Sequence, residues 1–222
     1  MADTKISGLT ALTGANVDTA ADVLAVVDTS VTTTKKILVD ELANAIVKAT
    51  TSVVQTIWIP ASAMISRTTL GAASGTTETS TNKVMIRTLD FDKDADEFAQ
   101  FSIRMPKSWN ESTVTAEFLW SHAAAATFDV VWGLQGVAVS NDDTLEVAFG
   151  TAITVTDSGG TTNDLYITAD TSAITIAGTP AAEDMVIFQV YRDANAGGDT
   201  LDVDARLHGV ALFITCNILT DI

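Results

Sequence analysis

Phe128-Asp129-Val130-Val131-Trp132-Gly133-Leu134 puts Phe128, Val130, Trp132 and Leu134 on one side of an extended chain. Asp129, Val131 and Gly133 fall on the other. A period of two is the mark of a strand with one buried face. The same pattern appears upstream. Ala99, Phe101, Ile103 and Met105 alternate with Gln100, Ser102 and Arg104, and Val114, Ala116, Phe118 and Trp120 alternate with Thr115, Glu117 and Leu119. Further strands are expected at Lys83–Leu89, Thr151–Thr156, Asp164–Ala169, Ala173–Ala177, Met185–Arg192 and Ala205–Cys216. Turn residues separate them, among them Asp157-Ser158-Gly159-Gly160 and Asn195-Ala196-Gly197-Gly198-Asp199. About nine strands without intervening helices predict a mainly β protein, an antiparallel β-sandwich of jelly-roll type. No internal repeat of solenoid or propeller length is present.

Composition agrees with that reading. The 222 residues include 34 Thr and 14 Ser, and Thr suits the solvent side of a strand. Hydrophobic residues make up 47%, too many for a disordered chain. Twelve basic residues stand against 28 acidic ones, so nucleic acid and anionic membrane are repelled. No apolar run reaches the length of a membrane span, and Met1–Thr10 lacks the apolar core of a signal peptide.

The amino-terminal part reads differently. Residues 1–57 carry six acids and four bases, whereas residues 58–222 carry 22 acids and eight bases. Val23–Val27 and Lys35–Val39 read as the two strands of a hairpin. From Asp40 onward, Leu42, Ile46 and Val47 take a helical spacing. A hairpin and a short helix cannot hold a core alone, so an outside surface is expected to complete them. The expected division is residues 1–50 as a hairpin-helix module, 51–57 as a linker and 58–222 as the sandwich.

Few residues offer chemistry. Asp90, Asp92, Asp94 and Asp96 recur at every second position, as in a calcium loop. The loop pattern fails at Ala95, where glycine is required, and at Phe101, where a bidentate glutamate is required. A solvated turn is the simpler reading, and no resident metal or cofactor is expected. His122 and His208 have no nucleophile motif beside them and are read as structural or interface residues. Cys216 lies in an apolar strand and is read as a buried thiol. Among 28 acids some pair always suits glycoside hydrolysis, so sequence gives no support for it. Trp120 and Trp132 fall on inward faces. Trp109, in the Met105–Asn110 connection, is therefore the candidate for stacking on a sugar ring.

Two stretches carry a resemblance. Lys5-Ile6-Ser7-Gly8-Leu9-Thr10, Asp22–Asp28 and Thr34–Leu42 resemble an N-terminal module of bacteriophage appendage proteins, found ahead of tail-fibre, spike and head-fibre domains. Leu38 departs from the Thr that family often has. Leu89-Asp90-Phe91-Asp92, Met105-Pro106-Lys107-Ser108-Trp109, Trp132–Ala138 and Asp204–Val210 are similar to a β-rich domain of phages and prophages. The resemblance implies a virion protein without enzymatic activity, trimeric, projecting from head or tail. Its partners would be copies of itself and capsid or baseplate proteins. Ile6, Leu9, Val23, Val26, Ile37, Leu42 and Ile46 would pack the attachment module. The alternative is a carbohydrate-binding module that recognises host surface glycans. A glycan-degrading enzyme ranks last, because the parallel β-helix patterning of phage depolymerases is missing.

Overall fold

A computed structural model describes residues 23–28, 33–39, 42, 53–123 and 127–217. The chain divides into two compact units, residues 1–51 and 52–222. In the first, β1 (Val23–Asp28) and β2 (Thr33–Leu38) pair antiparallel, with Val23 opposite Leu38 and Asp28 opposite Thr33. The expected hairpin is there. Of the expected helix, residues 39 and 42 are helical. Ile6, Leu9 and Ile46 lie outside the described residues, and the packing assigned to Val23, Val26 and Ile37 lies outside what is described of their side chains.

The described residues of the second unit form twelve strands: β3 (Val53–Pro60), β4 (Ile65–Ser66), β5 (Ala73–Glu78), β6 (Met85–Phe91), β7 (Glu97–Arg104), β8 (Thr115–His122), β9 (Phe128–Val139), β10 (Ile153–Gly159), β11 (Tyr166–Ile167), β12 (Ile176–Ala177), β13 (Met185–Arg192) and β14 (Ala205–Cys216). They form two sheets. The first runs β10-β9-β13-β7-β4, with β12 also on β9. The second runs β11-β8-β14-β6-β5, with β3 also on β14. Every pairing is antiparallel except β12 on β9. This is the antiparallel β-sandwich of jelly-roll type that the alternation predicts.

The residues that alternate in sequence meet between the sheets. Trp132 of the first sheet is fully buried and touches two rings of the second. Phe91 meets it edge-on at 5.1 Å, and Phe118 stacks on it at 5.8 Å. Phe101 and Phe188, directly opposite in register, stack at 5.2 Å. One charge sits among these apolar groups. Arg192 ends β13 and is fully buried, with its guanidinium on the carboxylate of Asp199 at 2.7 and 3.0 Å.

Several expected elements need correction, among them the strand at Ala173–Ala177, which shortens to Ile176–Ala177. The stretch read as a linker, 51–57, supplies most of β3, whose eight residues pair along β14 from Cys216 to Gly209. Its alternation was hidden because Val54 and Trp58 are apolar on the solvent side. Strand β6 begins at Met85, not at Lys83. Lys83 adopts a left-handed backbone (φ 58°) and its N–H bonds to the Thr79 carbonyl, closing the turn. The strand expected over Asp164–Ala169 shortens to Tyr166–Ile167. Beyond it, the hydroxyls of Thr168 and Thr171 accept the N–H groups of Phe118 and Ala116 at 3.1 Å, so side chains continue the ladder along β8. These two threonines are buried, unlike the solvent-facing role read for the type as a whole.

Candidate functional site: a groove beside Trp58

Strand β14 has β8 along one edge. Its other edge is shared by β6 over Ala205–Leu207 and by β3 over Gly209–Cys216. The two strands part at His208. On the β8 side the register also slips there, because Leu207 faces Trp120 and Gly209 faces Leu119. His208 is thus the extra residue of a bulge, a device that re-aims a side chain. On the outer face of this sheet, a groove of about 300 Å³ opens where the strands diverge. Trp58, Ile86, Leu119 and Leu165 give it apolar walls that make up most of its surface, and Ser121, Asn163, His208, Thr77 and Thr79 complete the lining with a small polar share.

Each of these has a local cause. Trp58 is on the solvent side of β3 and stays 47% exposed. Its ring lies over Gly209, where a Cβ would overlap the indole and the Ile59 carbonyl. Glycine at that one position is what lets the indole lie along the sheet. His208 and Ser121 are joined at 2.9 Å between Nε2 and Oγ. Burial, and then the nearby Arg206, hold the His208 imidazole below its ordinary pKa, with Asp90 acting in the opposite sense. It is neutral at pH 7, so the imidazole–hydroxyl pair can both donate and accept. Asn163, in the left-handed region at φ 62°, receives a bond from the Arg206 guanidinium at 2.8 Å. An apolar cleft with a few convergent polar groups has the form of a small-ligand site.

The residues singled out by sequence sit elsewhere. Trp109 is 2% exposed and corrects the expectation that it is free to stack on a sugar. Its connection folds back along the end of β14: Asn110 donates to Thr215 and Asn217 donates to Ser108, closing the loop over the indole. The exposed tryptophan is Trp58. The signal that could have found it was the seven-residue run Val53–Ile59, too mixed on both faces to assign a side.

The four aspartates do not converge. Asp90 accepts from Thr88 at 2.7 Å, and Asp92 accepts the N–H groups of Asp94 and Ala95. Asp94 pairs with Lys93, and Asp96 accepts from Asn195. Among the described residues no group of three or more His, Cys, Asp or Glu could hold a metal ion. The alternation is the chemistry of a turn whose carboxylates cap backbone N–H groups. His122 is fully buried and stacks on Tyr166 at 5.4 Å. Cys216 is fully buried.

No protein-family model matches the chain, and no curated protein matches it. Solved structures do resemble it in fold. The CBM22-2 xylan-binding domain from Paenibacillus barcinonensis Xyn10C superposes with a TM-score of 0.40 at 12% identity, over 68% of this chain and 91% of that one. The CBM36-1 domain of a multidomain xylanase from the hindgut metagenome of Trinervitermes trinervoides gives 0.36 at 9% identity, over 71% and 96%. A chain of infectious bursal disease virus, Gx strain, gives 0.34 at 11%, over 75% of this chain and 32% of its own length. Likeness at this level carries nothing about what is bound.

Proposed function

We propose that the sandwich is a carbohydrate-binding domain and that saccharide docks in the groove beside Trp58. The exposed indole carries this reading. A flat ring held along a sheet offers a surface for the C–H face of a pyranose, and the adjacent polar groups can meet its hydroxyls. The proposed role is binding without catalysis. Trp58→Ala is expected to weaken saccharide binding by at least ~30-fold, the loss typical of a central aromatic anchor. Titration calorimetry reads it directly. Affinity unchanged in the variant would sink the reading.

A second reading concerns the whole chain. The compact unit of residues 1–51, with its hairpin, covers the stretch that resembles the phage attachment module. We propose on that support that the chain is a virion appendage, a trimer anchored by this unit on capsid or baseplate, and that the groove faces a host glycan. Particles assembled with a chain lacking residues 1–51 are expected to carry none of it. Normal incorporation of the shortened chain would remove the attachment role.

A further inference from the structure

The polar side of the groove says more about the ligand than the ring does. We infer that the groove selects uncharged saccharides and reads one of their hydroxyls through the neutral His208–Ser121 pair, so that binding is lost in acid. This rests on the groove being the saccharide site. Three observations support it. First, among the described residues the groove lining holds no carboxylate, ammonium or guanidinium, although the sequence carries 28 acids. Second, the nearest guanidinium, Arg206, is engaged with Asn163, and Asp90 is the other charged group acting on His208. An acidic sugar would thus find no cation in the lining itself, where Arg206 stands behind Asn163, and would face a sandwich segment with a net charge of −14. Third, a sugar hydroxyl both donates and accepts, and so does a neutral imidazole hydrogen-bonded to a serine hydroxyl. Protonation leaves the imidazole with donors alone and sets a second positive charge beside Arg206. The site then loses an acceptor and binds the hydroxyl less well.

The sign follows from the direction of the shift. A histidine whose folded pKa lies below its ordinary value is stabilising when neutral, and that contribution is lost as pH falls through the folded pKa. Affinity should therefore hold through neutral pH and begin to fall only below the lowered pKa of His208 in the free protein, which lies under the ordinary histidine value, by up to about tenfold per unit.

The test uses the full chain with four probes: maltotriose, cellotriose and β-1,4-galactotriose as uncharged sugars, and trigalacturonate as an acidic one. Binding is followed by calorimetry and by the fluorescence of Trp58, the exposed one of four tryptophans. The expected result is binding of at least one neutral trisaccharide, at least about tenfold weaker binding of trigalacturonate, and the acid-side decline. His208→Gln cannot titrate, so whatever affinity it retains should no longer change with pH. Equal or tighter binding of trigalacturonate, a flat profile in the natural chain, or an unaltered profile in His208→Gln each overturns the inference and leaves the Trp58 site standing. No binding of any neutral probe at ~10 mM, above the range of weak millimolar sites, overturns both.

Discussion

Asp199→Asn is expected to destabilise the sandwich by about 3–5 kcal/mol, although it changes one oxygen to nitrogen. The cause is the company Asp199 keeps. Its carboxylate takes two bonds from Arg192, at 2.7 and 3.0 Å, and a third from the Val131 N–H at 3.0 Å. Both side chains are sealed, 0% exposed for Arg192 and 2% for Asp199. The remaining N–H groups of Arg192 donate to the carbonyls of Leu201 and Val203 at 2.6 and 2.9 Å, with longer bonds to Asp92 and Phe91. One guanidinium thus ties the end of β13 to the 199–203 loop and to the end of β6. Asparagine would leave a full positive charge buried without its counter-ion, and its amide would turn a donor toward groups that only donate. Breaking such a pair from one side is far costlier than its net contribution when intact. Thermal unfolding should show a midpoint lowered by ~10 °C for a domain of this size. The exposed pair of Lys93 and Asp202 is the control, because its carboxylate is 77% exposed and 2.8 Å from the ammonium in open solvent. Asp202→Asn should leave the midpoint where it is. Equal effects from the two substitutions would show that the buried network does not hold the loops.

This network was invisible in the sequence. Arg192 and Asp199 are seven residues apart across a glycine-containing turn, and nothing in local pattern says that an arginine at a strand end points inward. The strands themselves were legible wherever the two faces meet different surroundings, as at Phe128–Leu134, Met185–Arg192 and Ala205–Cys216. They were lost where that contrast fails. Strand β5, Ala-Ser-Gly-Thr-Thr-Glu, has no apolar residue larger than alanine and keeps little buried surface at the sheet edge. Strand β3 shows apolar residues on both faces, so it passed for a junction. The groove was out of reach for a further reason. It exists because β3 and β6 share one edge of β14 and part at His208, and strand pairing at that distance in sequence follows from no periodicity. Trp109 illustrates the limit from the other side. A tryptophan in a connection is a fair candidate for exposure, but the turn that carries it is drawn back by hydrogen bonds to both sides of Cys216, and the ring goes inward.

Trp132→Ala is the second large effect expected, about 3–5 kcal/mol, as for other large aromatic residues cut back to alanine in a core. Trp132 contributes more than its area. It is the ring from the first sheet that meets two rings of the second, Phe91 edge-on at 89° and Phe118 nearly parallel at 14°. Such geometries add to burial because the ring edge and ring face carry opposite partial charge. Alanine would leave a hole bounded by strands on both sides. The neighbours cannot close it cheaply, since Phe91 and Phe118 are themselves fully buried and fixed by pairing to β14 through Ala205 and Val210. Trp58→Ala removes the same atoms from a ring that is 47% exposed and lies on the outside of the sheet. Its stability cost should be smaller, about 1–2 kcal/mol for a half-covered ring, while its cost in saccharide binding is large. The pair therefore separates packing from recognition with one residue type. Urea unfolding gives the first quantity and calorimetry the second. A Trp58→Ala protein as unstable as Trp132→Ala would mean that the outer indole serves the fold, and the groove would then have to be read as a seam between β3 and β6 instead of a site.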